Sequence, residues 1–144
     1  MEDKEEITAL EIHAHEGIHL PKQYLNLVRA RWMRSFRFCN DYMKLTEADA
    51  YYLAYGVYVI NILNRPTTVV RLAVLADDID VVMGFSVMED DSVLHYVEVP
   101  KAYRRQGIGR SLVPIPVKRF SHLTKIGFRL WAEKAPDAKF NPFI

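Results

Sequence analysis

The chain has 144 residues, half of them apolar and 26% charged, with a formal net charge of +1. That length suits one domain, 1–144, around a single core, and the near-neutral balance removes nucleic acid and membrane surfaces as bulk electrostatic partners. The one cysteine, Cys39, excludes an intramolecular disulfide and a cysteine-based zinc site.

No apolar run is long enough to span a bilayer, and the opening Met1-Glu2-Asp3-Lys4-Glu5-Glu6 is acidic where a signal peptide is basic. A cytoplasmic protein is expected. Ile7 to Ile12 is β-compatible and reads as a first strand. His13, His15 and His19 follow beside Glu16 as a polar loop; imidazoles so close together can bind metal, but no distant partner ligand is evident and no metal site is assigned.

Pro21 suits a first helical position, and Tyr24, Leu25, Val28, Trp32 and Phe36 recur at helical spacing to about Phe38. Arg29, Arg31, Arg34 and Arg37 fill the other positions and read as a solvated face. Thr46 with Asp49 resembles a capping box opening a second helix, which ends near Leu63 ahead of Arg65-Pro66. Tyr51, Tyr55 and Tyr58 share a face of it, as packing with hydroxyls at the surface or as an aromatic wall toward a substrate.

Val69–Ala76, Ile79–Met88 and Val93–Val99 are β-rich runs joined by Asp77-Asp78 and Glu89-Asp90-Asp91-Ser92, which predicts an antiparallel meander. Gly84 marks a bulge or a close backbone approach. After the meander come a glycine turn, a helix, and Gly127 to Glu133 as a last strand. Residues 134–144 form an irregular tail with two prolines.

The turn is Tyr103-Arg104-Arg105-Gln106-Gly107-Ile108-Gly109-Arg110. Gly107 and Gly109 allow a tight turn and close ligand approach, and the first turn of the next helix offers N–H groups without intrahelical partners. An anion placed there meets those donors and the positive end of the dipole, with Arg104, Arg105 and Arg110 nearby. Pro114 and Pro116 each remove a donor and cost about 3 kcal/mol in a helix interior, so a kink or a restart near Val117 is expected.

Arg104-x-x-Gly107-x-Gly109 at the exit of an apolar strand resembles the acetyl-CoA signature of the GNAT superfamily of N-acetyltransferases, and the element order from about Ile7 to Glu133 is similar. It is not the dinucleotide fingerprint: the spacing differs, and the preceding strand closes a meander rather than a βαβ unit. The resemblance implies an α/β (α+β) fold, a mainly antiparallel mixed sheet with flanking helices in the order β-α-α-β-β-β-α-β, with the family's last helix and strands missing. It also implies acetyl-CoA as co-substrate, its pyrophosphate on Arg104 to Gly109 and Arg110, and its pantetheine arm along Val97, Glu98 and Val99, where the strand splays from its neighbour.

The chemistry implied is direct attack of an amine on the thioester, assisted by a base and an acid. Glu98 is the first candidate base and His95 the second; they point to opposite faces if the strand alternates regularly. Family members often use a tyrosine as acid, and the closing segment has none. Three functions compete: an N-acetyltransferase whose acceptor side is completed by another subunit or a protein partner, a catalytically silent GNAT-like module with an assembly role, and a generic phosphate-binding regulator. Acidic turns such as Glu89-Asp90-Asp91 favour a cationic amine only weakly.

Overall fold

Three β-branched runs separated by acidic turns dominate the middle of the chain, and they pair as neighbours. The computed structural model describes residues 9–144 apart from 115 and 123, so residues 7 and 8 of the expected first strand lie outside the described residues. The elements are β1 (Leu10–Glu16), α1 (Lys22–Phe38), α2 (Ala48–Leu63), β2 (Thr68–Leu75), β3 (Asp78–Glu89), β4 (Val93–Glu98), α3 (Ile108–Leu112), β5 (Arg119–Phe120), α4 (Lys125–Lys134) and β6 (Lys139–Phe140). They form a six-stranded sheet in the spatial order β1-β2-β3-β4-β5-β6.

β1 to β4 are antiparallel, as the spacing predicts. Asp90 and Asp91 both have φ of 55° between β3 and β4, and Ser92 N–H donates to the Glu89 carbonyl at 3.1 Å. Positive φ at both central residues is the hairpin geometry that matches strand twist, and aspartate tolerates it better than most residues. Both readings of Gly84 hold. The register slips between Ala73 and Val74, so that Met83 is the extra residue. A Cβ on Gly84 would also sit 3.0 Å from the Glu98 carbonyl oxygen and 3.1 Å from Leu112 Cδ1.

Helices cover both faces. On one face α1 and α2 bury Val28, Trp32, Tyr51, Val59 and Ile62 against Leu72, Phe85, Val87 and Tyr96. On the other, Ile108 and Leu112 of α3 join Met88, Leu94 and Phe120, with Trp131 of α4 at the margin. The phenols of α2 pack as the simpler reading has it, but their hydroxyls turn inward. Tyr51 donates to the Met33 carbonyl at 2.5 Å, Tyr55 accepts from Trp32 Nε1 at 3.1 Å, and Tyr58 donates to the Ile144 carbonyl at 2.6 Å. The expected capping box is absent. Glu47, not Thr46, stands at the N-cap, with no side-chain bond to the helix.

The C-terminal third departs from expectation. α3 stops at Leu112, no helix restarts among the described residues before β5, and β5 runs parallel to β4. Pro114 drives Val113 out of the helical region, to φ −126° and ψ 73°. Pro116 lacks the N–H that would have served the Leu112 carbonyl, and the buried Ser86 hydroxyl donates to it instead at 2.7 Å. The glycine turn therefore does open the helix of a βαβ crossover; its spacing alone separates it from the dinucleotide fingerprint.

Gly127–Glu133, expected as a strand, lies in α4. Thr124 caps that helix, accepting from Gly127 N–H at 3.1 Å, and Arg129, Leu130, Ala132 and Glu133 are good helix formers. Lys139–Phe140, within the expected irregular tail, forms β6 parallel to β5. A helix and a further strand thus stand where the sequence left them missing.

Candidate active site

The site begins where β4 and β5 part. In β4, His95 is an extra residue between the pairs Val87↔Tyr96 and Met88↔Leu94. This bulge breaks the regular alternation on which His95 and Glu98 were expected to face opposite ways. It also turns two successive carbonyls toward the neighbouring strand: Leu94 O accepts from Ser121 N–H at 3.1 Å and His95 O from His122 N–H at 3.2 Å. Among the described residues that is the last rung. Beyond it β4 continues to Glu98, paired only with β3, so a wedge opens along its free edge. Strand alternation from His95 onward turns the Val97 N–H and C=O into that wedge.

At the wide end of the wedge lies the glycine turn. Arg105 and Gly107 have φ of 66° and 81°, and Gly107 is the N-cap of α3 with no side chain bonded across the cap. Alternating left-handed residues point successive N–H groups into one concavity, which suits an anion. Beyond their chain neighbours and the helix's own backbone, nothing comes within 4 Å of a Cβ placed on Gly107 or Gly109, so the loop presents bare backbone. Arg105, Gln106 and Arg110 are exposed, and Ile108 buries its side chain in the second core and anchors the turn. Arg104 Nε donates to the Val99 carbonyl at 2.7 Å, which ties the turn to the end of β4. Arg104 therefore has a structural task whatever else it binds. The side chains of Val97 and Val99 pack into the core behind α3, leaving their backbone for a ligand.

Glu98 faces the α1 side. Arg31 donates to its Oε1 from Nη2 at 2.7 Å and from Nε at 3.0 Å, and also reaches the Val82 carbonyl at 2.9 Å. Arg31, Arg34, Ser35, Phe38 and Glu98 line an open cavity of about 580 Å³. The arginines of α1 do not form the solvated face expected of them: Arg34 is exposed, whereas Arg37 donates to the Thr46 carbonyl and lies over Tyr51 and Tyr52.

His95 is fully buried and belongs to a polar chain that the sequence did not disclose. Its Nε2 lies 2.7 Å from Glu89 Oε1, which also accepts from Arg65 Nη1 at 2.9 Å. Its Nδ1 lies 2.7 Å from Ser121 Oγ, and Ser121 Oγ lies 2.8 Å from His122 Nδ1. Burial pushes the His95 imidazole below its ordinary value, and the Glu89 bond offsets only part of that. Burial also pushes His122 down, helped by His95 and Arg65, from 6.5 to about 4. Burial alone would raise the Glu89 carboxyl, but the bonds from His95 and Arg65 outweigh it and hold it below the usual range. Ser121 and His122 had no motif to mark them; only a β5 strand parallel to β4 brings them beside His95.

Of the histidines near the N-terminus, His13 pairs with Glu11 at 2.9 Å and His19 with Glu16 at 2.8 Å, while His15 rests against Tyr24. Among the described residues no three such side chains converge as a metal site, and no helix is long and apolar enough to cross a membrane.

No model of a protein family matches the sequence, and no curated protein matches it either. Solved structures do. A protein assigned as an acetyl transferase from Pyrococcus furiosus superposes with a TM-score of 0.55 over 91% of this chain and 80% of its own, at 14% identity. An acetyltransferase from Vibrio fischeri gives 0.47 over 72% and 80% at 15% identity. A ribosomal-protein-alanine N-acetyltransferase from Brucella melitensis gives 0.44 over 92% and 77% at 15% identity. At such identities the likeness concerns architecture, and the first of the three carries it: this chain shares the fold of the Pyrococcus furiosus acetyl transferase.

Proposed function

We propose that this protein is an acetyl-CoA-dependent N-acetyltransferase that passes an acetyl group directly to an amine. The observation that carries the reading is the continuity of the glycine turn with the wedge. An exposed, uncapped nest of backbone N–H groups sits at the end of β4, an inner strand that parts from its neighbour β5 after Leu94. The pyrophosphate lies on Arg105 to Gly109 with Arg110 beside it, and the pantetheine arm runs back past Val99 and Val97. From Val99 to His95 the strand spans roughly 13 Å, so the acyl end reaches the narrow end of the wedge. The co-substrate supplies an activated acetyl group as a thioester. The Val97 N–H, turned into the wedge, polarises the thioester carbonyl.

The acceptor enters from the α1 side through the cavity beside Glu98. There Glu98, fixed in place by Arg31, accepts a hydrogen bond from the acceptor amine, which reacts in its neutral form. A catalytically silent module has two observations in its favour: α3 has only five residues, and 121–144 contains no tyrosine.

A thermal shift with acetyl-CoA tests the reading, because a ligand that binds only the folded chain raises its stability. The parent should be stabilised, and Gly109→Glu should fold normally but lose the shift. Its side chain has open space to occupy, and its charge opposes a pyrophosphate. A parent that does not move at saturating acetyl-CoA removes the cofactor site from the account.

A further inference from the structure

The chain of groups at the narrow end of the wedge has a direction. Glu89 carries a carboxylate, which only accepts, and Arg65 holds it from the other side. His95 must therefore donate through Nε2, which leaves its Nδ1 as an acceptor for the Ser121 hydroxyl. That hydroxyl has one hydrogen, now used, so toward His122 it accepts, and His122 donates through Nδ1. The neutral imidazole of His122 is then left with one lone pair, on Nε2. Among the described residues no hydrogen bond falls on that atom.

The location matters as much as the direction. Two residues past β5, the His122 N–H makes the last bond to β4 among the described residues, so its ring stands where the wedge closes. The residue is 9% exposed, and its ring is flanked by Tyr58, Tyr55 and Phe36 of the two helices that face the acceptor side. The groups facing it are thus Tyr55 and Tyr58 from α2, Phe36 from α1, His95 from β4 and Ser121, its neighbour in the chain. Arg65 and Glu89 lie one step further back.

The geometry points to His122 Nε2 as the proton acceptor of acetyl transfer, with Ser121, His95 and Glu89 as a relay that orients it and takes up the charge. This rests on the acetyltransferase reading above. As the amine nitrogen bonds to the acetyl carbon and the C–S bond breaks, a proton leaves the nitrogen for His122 Nε2. The Nδ1 proton of His122 passes to Ser121 Oγ, and the Ser121 proton passes to His95 Nδ1. The result is an imidazolium at His95 against the Glu89 carboxylate, with Ser121 and His122 again neutral. Return of the proton by the same path protonates the departing thiolate, a task for which the segment after Phe120 offers no tyrosine. His122 is the catalytic residue here; Ser121, His95 and Glu89 position it.

Two measurements decide the matter. Long-range ¹H–¹⁵N correlation on the full chain with acetyl-CoA should find His95 protonated at Nε2 and His122 at Nδ1, and Ser121→Ala should abolish the His122 preference. Thiol release from acetyl-CoA across a panel of monoamines, diamines and amino acids should show kcat reduced about 100-fold or more in His122→Gln, with KM little changed. Ser121→Ala should displace the acidic limb of the pH profile, which a purely structural loss does not do. A parent with His122 protonated at Nε2, or a His122→Gln variant with the parent's kcat, overturns the relay while the acetyl-CoA thermal shift stands. So does a parent that binds acetyl-CoA yet acetylates nothing in the panel. If the thermal shift itself is missing, the underlying reading fails first.

Discussion

β1 to β4 contribute strands of seven, eight, twelve and six residues, all antiparallel and joined in β2-β3-β4 by tight turns, whereas β5 and β6 contribute two residues each and run parallel. Parallel neighbours need a crossover, and here each crossover carries a short helix. The first region is held by a continuous apolar core under α1 and α2; the second is held by a few side chains of α3, β5 and α4 packed on the back of the sheet. The site lies on the border between them, and the brevity of β5 is what makes it a site. A longer β5 would pair with β4 through Glu98 and close the wedge.

The largest effect should come from the first region. Trp32 is fully buried, stacked on Tyr96 with ring centroids 5.3 Å apart, and bonded through Nε1 to Tyr55. Trp32→Ala should cost about 3–5 kcal/mol, from lost burial and a cavity the sheet cannot collapse into. Urea denaturation should show one cooperative transition at a much lower midpoint. A second transition that stays in place would show the C-terminal third folding independently and would break the comparison.

The same division governs what the sequence made legible. Helical spacing placed α1, and the shared face of Tyr51, Tyr55 and Tyr58 with the stop before Arg65-Pro66 placed α2. β-rich runs joined by short acidic turns placed the meander, whose strands are buried on both faces. The glycine turn was legible because positive φ and bare backbone demand particular residues. Gly127–Glu133 was misread because seven residues with apolar and polar positions mixed fit either period. The deciding signal lay outside that stretch, in the cap at Thr124. β5 and β6 could not be read at all, since two-residue strands carry no periodicity. Arg31, on a helix that looked evenly basic, was assigned to solvent because its partner Glu98 lies 67 residues away. Ser121 and His122 were hidden for the same reason.

The border itself can be tested by acid. His122 in the folded chain titrates at about 4, against 6.5 when free of the fold. As pH falls the unfolded chain takes up its proton first, so stability is fully present above 6.5 and is lost as pH falls from 6.5 toward 4. His95, lowered by the same burial, adds to the loss in the same direction. Glu89, held low by His95 and Arg65, adds stability above the ordinary carboxylate value that is lost lower still. The contribution of His122 is on the order of 3 kcal/mol across that window. Urea midpoints measured from pH 7.5 to 4.5 should fall steeply for the parent and more gently for His122→Gln. Parallel slopes would mean that His122 is not held neutral by the fold.

The smallest effect should come from the far edge of the second region. Phe140 is 52% exposed and meets Phe128 edge-on at 5.3 Å, a contact between two partly solvated rings. The backbone of β6 is tied to β5 without help from that ring: Lys139 N–H donates to the Lys118 carbonyl and Asn141 N–H to the Phe120 carbonyl, each at 2.9 Å. Phe140→Ala should therefore cost no more than about 1 kcal/mol, in keeping with partly exposed positions away from the core. The acetyl-CoA thermal shift should be unchanged, because β6 lies one strand beyond the wedge. A loss comparable to that of Trp32→Ala would reverse the comparison: the two-residue strands would then hold the sheet shut, and the wedge would owe its shape to β6 as much as to the bulge at His95.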